Sequence, residues 1–164
     1  IRKISESYNL TIIDTPPSIE MLTSSAINAS DYVLLPIQLD LLAIKGATDI
    51  AKILVPTAHR YYNPNLKILG VIINLHRDTK VQRASKKTAY ETFGHYLFNT
   101  MISRSEKVGQ IATTRGTIDK SKSDNQFALL AEEIHNRILQ DTIRTKKGGQ
   151  NANEERQTNG NEHR

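Results

Sequence analysis

Short, almost wholly apolar blocks alternate with longer blocks of helical periodicity from Leu10 to Ile143, and this alternation limits the possible folds more than any other feature of the chain. Strand-like runs fall at Leu10 to Ile13, Tyr32 to Ile37, Lys67 to Asn74 and Tyr96 to Ile102. Between them lie helical patterns at Ile19 to Asn28, Ala43 to Tyr62 and Thr79 to Phe93, and a short helix near Glu106 to Ala112 and a longer one from Asp124 to Ile143 follow. That order predicts βαβ units around a parallel sheet. The strands are apolar on both sides, as strands are when helices cover each face of a sheet. The expected class is therefore α/β, with a parallel sheet and helices on both faces.

Local signals set the expected breaks. Pro56 lies inside the helical block Ala43 to Tyr62, so that helix should kink or break near Val55. Asn63-Pro64-Asn65 then ends it. Ser123 or Asp124 is a suitable N-cap for the last helix, and Phe127, Leu130, Ala131, Ile134 and Ile138 form one apolar stripe on it, which reads as core packing. From about Thr145 the composition changes to Lys, Gly, Gln, Asn, Glu and Arg without branched or aromatic apolar residues. Such a segment cannot bury enough surface to offset its ordering entropy. The expected organisation is one domain over residues 1–144 and a disordered polar tail over 145–164.

Several function classes are excluded early. The 164 residues contain no cysteine, which removes disulfide scaffolds and cysteine-ligated zinc or iron–sulfur centres. The five histidines show no metal-ligand spacing. No apolar run approaches the ~20 residues that cross a bilayer, and no charged-then-apolar signal segment opens the chain, so a soluble cytoplasmic protein without a membrane partner is expected. The net charge of +5 permits polyanion binding without demonstrating it. Because the chain begins at Ile1 and reaches a strand within ten residues, it reads as a fragment.

The run Leu10-Thr11-Ile12-Ile13-Asp14-Thr15-Pro16-Pro17 is the chemically most telling stretch. β-branched residues favour a strand, and two prolines that cannot continue a ladder stop it, so Asp14 should sit at the strand's C-terminal edge. In open α/β sheets ligands bind at that edge. An ordinary turn after a buried strand is the other reading. A second feature is basic: Arg77, Lys80, Arg83 and Lys86 recur every three residues, with Lys87 adjacent. They suit either a solvated helix face or a surface that contacts the phosphates of duplex DNA without reading sequence. No aromatic interleaving favours single strands.

Ile12-Ile13-Asp14-Thr15-Pro16-Pro17-Ser18, then Ala26 to Ala29, Asp31-Tyr32-Val33-Leu34-Leu35-Pro36 with Gln38, and Asn63 to Asn74 together resemble the ParA partition ATPases of the ParA/MinD superfamily. The resemblance runs from roughly Tyr8 to Leu139 and rests on several blocks in the right order. It implies an incomplete P-loop NTPase (Rossmann-like) fold that lacks its N-terminal βαβ part. The family's Gly-rich, lysine-bearing phosphate loop has no counterpart here. Gly148-Gly149 lies in the polar tail with no strand before it. Without that cradle the chain alone is expected neither to bind ATP tightly nor to hydrolyse it.

By the same resemblance the cofactors are ATP and Mg²⁺. Asp14 would hold the magnesium ion through water, while Thr15, Pro16 and Pro17 would form the γ-phosphate switch. Asn74 would recognise adenine, with a capping or turn role as the bland alternative. Ser103-Arg104 stands where the family usually has Pro-Arg, on the other side of the base. Gln38 and Asp40 would lie on the dimer-facing rim, although Lys45-Gly46 departs from the acidic-Gly pair expected there. The implied partners are nonspecific double-stranded DNA, a ParB-like centromere-binding protein and a second copy of the chain in the ATP-bound dimer. The implied setting is cytoplasmic and nucleoid-associated. The alternative is a non-catalytic truncated module that binds DNA or an intact subunit.

Overall fold

The computed structural model describes residues 7–16, 21–105 and 125–159. Its centre is a parallel pair, β1 (Tyr32–Ile37) and β2 (Lys67–Ile73). Before β1 runs α1 (Met21–Ala29), and between the strands lie α2 (Leu41–Asp49), a π-helical turn (Ile50–Leu54) and α3 (Val55–Tyr61). After β2 come α4 (Lys80–Phe93), a 3₁₀ turn (Gly94–Tyr96) and α5 (Asn125–Asn159). The α/β class and parallel sheet are as the hydrophobic pattern predicts. The short helix expected at Glu106 to Ala112, and the caps Ser123 and Asp124, lie outside the described residues.

Alternation along β1 and a continuous buried run at the end of β2 build the core. Val33, Leu35 and Ile37 of β1 and Val71 and Ile73 of β2 join Ile27, Ile44, Ala47, Val55, Ala58, Ala89 and Phe93 from the helices. Buried Asn63 fastens the corner after α3. Its Nδ2 donates to the carbonyls of Asn28 and Ser30, and its Oδ1 accepts from Asn65 N–H, which makes the turn that ends the helix.

Three expectations change. Of the kink or break expected near Val55, the break does not occur: α2 and α3 run together through a π turn that ends there, in which Val55 N–H reaches back to the Ile50 carbonyl. A widened turn takes up the missing N–H and the ring of Pro56. Leu10 to Ile13 forms no strand, and Leu10 and Ile12 are 59% and 84% exposed. A strand needs a neighbour, and among the described residues the sheet holds only β1 and β2. Tyr96 to Ile102 is likewise no full strand. It runs beside β2 through isolated bridges, Val71 to Leu97 and His76 to Ser103, with Phe98 and Ile102 N–H donating to the Val71 and Ile73 carbonyls.

The apolar stripe of α5 also differs from expectation. From Asn125 to Thr145 no residue is fully buried; Phe127, Leu130, Ile134 and Ile138 are half-buried and Ala131 is exposed. A groove of about 1080 Å³ lies between this helix, the start of β2 and α3. Polar clips hold the helix instead. Arg137 Nη1 donates to the Leu69, His95 and Tyr96 carbonyls, and Nη2 donates to the Leu97 carbonyl and to Glu133. Its guanidinium lies 3.8 Å from the centre of the Phe98 ring. Glu133 accepts the Asn99 and Thr100 N–H groups at 2.9 Å each. Burial works against its charge, but those N–H groups and Arg137 outweigh it and hold the carboxyl below its ordinary range.

A second clip sits eight residues on from Glu133. Asp141 accepts from Lys67 Nζ and Tyr32 Oη at 2.7 Å each, which ties α5 to the first residues of both strands. Asp141 is held low, chiefly by Lys67. Burial, and then donation to that carboxylate, push the Tyr32 hydroxyl up from 10.0 to about 12. A raised folded value keeps this contribution intact below pH 10 and loses it as pH climbs toward 12. We therefore expect unfolding free energy to decline over that window, and Tyr32→Phe to flatten the decline, as urea titrations at stepped pH would measure.

Gly70 makes the Arg137 clip possible. The register slips by one between Val33 and Leu34, so that Leu69 is bulged out and Gly70 takes φ +156°. A Cβ there would collide with the Tyr96 carbonyl oxygen, meet Phe98 Cε2 at 2.6 Å and meet Arg137 Nη1 at 2.7 Å. Gly70→Ala should cost about 3 kcal/mol of stability, read as a lowered urea midpoint. An unchanged midpoint would mean that the bulge is not constrained as described.

Candidate functional site

Parallel pairing puts the C-terminal ends of β1 and β2 at one edge, and most of the sequence-predicted site residues gather there. Asn74 follows β2 directly, and its N–H donates to the Ile37 carbonyl at 2.7 Å. Its Oδ1 accepts the Leu75 N–H at 2.9 Å, leaving the side-chain NH₂ to donate elsewhere. Leu75 adopts φ +53°, a conformation that costs a non-glycine residue about 1 kcal/mol or more and persists only when its neighbours are fixed. They are fixed here: His76 N–H donates to the Ile102 carbonyl, and Arg104 N–H donates to the His76 carbonyl.

The same bridge carries Ser103 and Arg104 to the edge that holds Asn74, so these three expected residues are brought together, and both Ser103 and Arg104 are exposed. Gln126 of α5 completes the arrangement. Its Oε1 accepts the Ser103 N–H at 2.7 Å and its Nε2 donates to Ser103 Oγ at 3.4 Å. Nothing in the sequence points to Gln126, which stands on a helix 23 residues further along. Leu75 escaped notice too, since an αL leucine leaves no compositional trace.

On the β1 side, Thr15, Pro16, Gln38 and Asp40 line a groove of about 620 Å³ along the free edge of the strand. Asp40 has a structural task, because its Oδ1 accepts the Ala43 N–H and caps α2. Asp14 lies next to this groove, exposed and on irregular backbone rather than at the end of a strand. Thr23 Oγ1 donates to the Pro16 carbonyl at 3.4 Å. Pro17 lies outside the described residues. Among the described residues no three His, Asp or Glu side chains gather as a metal-binding group. A lone exposed Asp14 fits a hydrated magnesium ion held through water, since that ion takes few protein carboxylates. For phosphates the fit fails: none of the described glycines builds a loop of N–H groups at this edge.

The basic residues lie on and just before α4. Thr79 caps this helix by accepting the Gln82 N–H, and Ser85, Ala89 and Phe93 face the core. Lys80, Arg83 and Lys87 therefore turn outward, and Lys86 sits at the margin with its Nζ 5.8 Å from the centre of the Tyr90 ring. Two of the charges have acidic neighbours: Arg83 Nε donates to Asp78 at 2.8 Å, and Lys87 lies 3.9 Å from Glu91. Both pairs are largely exposed and worth little, so the face keeps its positive sign.

Comparison with known proteins adds to this geometry. An AAA domain family model matches residues 1–68. An uncharacterized protein of Pseudomonas putida is 34% identical over 109 residues, which is 65% of this chain and 41% of that protein. The chromosome-partitioning ATPase Soj of Thermus thermophilus is 28% identical over 139 residues, or 81% of this chain and 55% of that protein. The chromosome partitioning protein ParA of Myxococcus xanthus is 26% identical over 144 residues, covering 84% of this chain and 50% of that protein. The chain spans about half the length of the curated relatives it matches. The chain is ParA-type in sequence, related over most of its length to the Soj and ParA chromosome-partitioning proteins.

Proposed function

We propose that this chain is the base-binding and DNA-facing part of an ATP-dependent partition protein, and that sequence outside it supplies the phosphate loop. The observation that carries this reading is the meeting of Asn74, Ser103 and Arg104 at one sheet edge in a sequence related to Soj and ParA. In the assembled site Asn74, Ser103 and Arg104 contact adenine. Thr15, Pro16 and Pro17 answer to the γ-phosphate, and Asp14 holds the water shell of magnesium. Bound magnesium would neutralise developing charge on the phosphates. What this chain contributes is to orient the base and to present one carboxylate.

ATP binding closes a homodimer, which doubles the basic faces formed by Arg77, Lys80, Arg83, Lys86 and Lys87. Such a face displaces condensed counterions, so retention on duplex DNA is nonspecific and falls steeply with salt. A ParB-like centromere-binding protein triggers release. The working place is the cytoplasm, on the nucleoid, and no described helix is long and apolar enough to cross a membrane. By itself the chain is inactive as an ATPase.

The deciding experiment joins the chain to a ParA phosphate-binding half and measures ATP binding and DNA retention at low salt. Arg83→Glu with Lys86→Glu should abolish retention and leave ATP affinity unchanged, whereas Asp14→Ala should remove magnesium-dependent hydrolysis. DNA retention that survives the double charge reversal would exclude the α4 face.

We also assign the folded domain to residues 1–144 and treat 145–164 as a tail that unfolds in solution. The helix does extend to Asn159, but beyond Thr145 the sequence has no apolar stripe and includes Gly148 and Gly149. An isolated helical extension of that kind is marginal in water. Brief trypsin treatment should cut first at Lys146 and Lys147; a first cut within α4 would contradict the boundary.

A further inference from the structure

The contact between Gln126 and Ser103 fixes more than a backbone position. Oε1 faces the Ser103 N–H at 2.7 Å, and an N–H can only be met by an acceptor, so the amide orientation is determined. Nε2 is then the end that faces Ser103 Oγ at 3.4 Å, and it donates. A hydroxyl that accepts from Gln126 keeps its own hydrogen to give, and among the described residues no acceptor takes it. Ser103 is exposed at the edge shared with Asn74. The edge thus presents the Ser103 O–H and the Asn74 NH₂ as donors.

We propose that Gln126 is a positioning residue for base specificity: by donating to Ser103 Oγ it turns the Ser103 hydroxyl into an outward donor, which selects a purine whose pyrimidine-ring N1 is unprotonated. The inference rests on the base-site reading above. Adenine offers such a nitrogen at N1, whereas hypoxanthine carries N1–H and meets a donor with a donor. A site that offers donors disfavours the analogue whose facing atom is also a donor, because neither group then finds its partner in the other.

The polarity can be reversed without moving the backbone. In Gln126→Glu the carboxylate still accepts the Ser103 N–H but can no longer donate to Oγ. The hydroxyl then donates inward to the carboxylate and presents a lone pair outward, which suits N1–H. In Gln126→Leu both contacts vanish and the hydroxyl turns freely. A role confined to holding the loop would weaken both nucleosides together in either variant and leave their ratio unmoved.

The test titrates the full 164-residue chain with adenosine and with inosine at millimolar concentration and follows ¹H–¹⁵N shifts. Nucleosides avoid any need for a phosphate loop. The wild type should prefer adenosine by about tenfold, in keeping with one or two neutral hydrogen bonds. Gln126→Glu should erase or invert that preference, and Gln126→Leu, which introduces no charge, should level it. If Gln126→Glu and Gln126→Leu both keep the wild-type ratio, the inference is overturned and the base site stands. Adenosine that perturbs no signal near Asn74 and Ser103 in the wild type overturns the base site and the inference together.

Discussion

The guanidinium of Arg137 is the interaction on which the rest of the architecture leans. One side chain reaches from α5 to four carbonyls, those of Leu69, His95, Tyr96 and Leu97, and rests on the face of Phe98. Lysine could not replace it, because a single ammonium lacks the planar fork that serves several acceptors at once. Where a further strand would normally pair with the outer edge of residues 95 to 103, α5 supplies side chains in its place: Arg137 for the carbonyls, and Glu133 and Gln126 for the N–H groups of Asn99, Thr100 and Ser103. Each of these bonds gives a backbone group a side-chain partner from α5.

This construction links the last helix to the proposed base site. Gln126, Glu133 and Arg137 recur at helical spacing and grip one extended segment whose final residues are Ser103 and Arg104. Stability and recognition therefore share a ruler. A shift of α5 along its axis would move Ser103 and Arg104 with it, whereas Asn74 is set independently by its bond to Ile37. The two sides of the proposed site thus rest on different supports, one on the sheet and one on the helix.

Much of this was legible in the sequence, and the unread parts share a cause. Tyr32 to Ile37 and Lys67 to Ile73 announced themselves as strands because they are short, nearly all-apolar runs and the chain itself provides each with a neighbour. Leu10 to Ile13 has the same composition and forms no strand, since strand formation depends on a neighbour and composition cannot report one. Phe127, Leu130, Ile134 and Ile138 carry a correct helical period, yet the period does not say how deeply the stripe will be buried. The meeting of Asn74 with Ser103 and Arg104 was expected through the family resemblance. Gln126 was invisible because its role is a pairing between distant residues, with no local pattern.

The free edge of β1 follows a rule set by one residue. The carbonyls of Asp31 and Ile37 point toward β2, so the alternate residues Tyr32, Leu34 and Pro36 turn their backbone groups the other way. Proline has no N–H, and the third of these positions offers only an acceptor. A strand laid along that edge finds complete pairing at Tyr32 and Leu34 and incomplete pairing at Pro36. It must begin to leave the sheet one step before the ligand edge. The same missing hydrogen also caps how long a foreign strand can grow on this edge, so Pro36 both sets where a neighbour departs and blunts the edge as a template for aggregation.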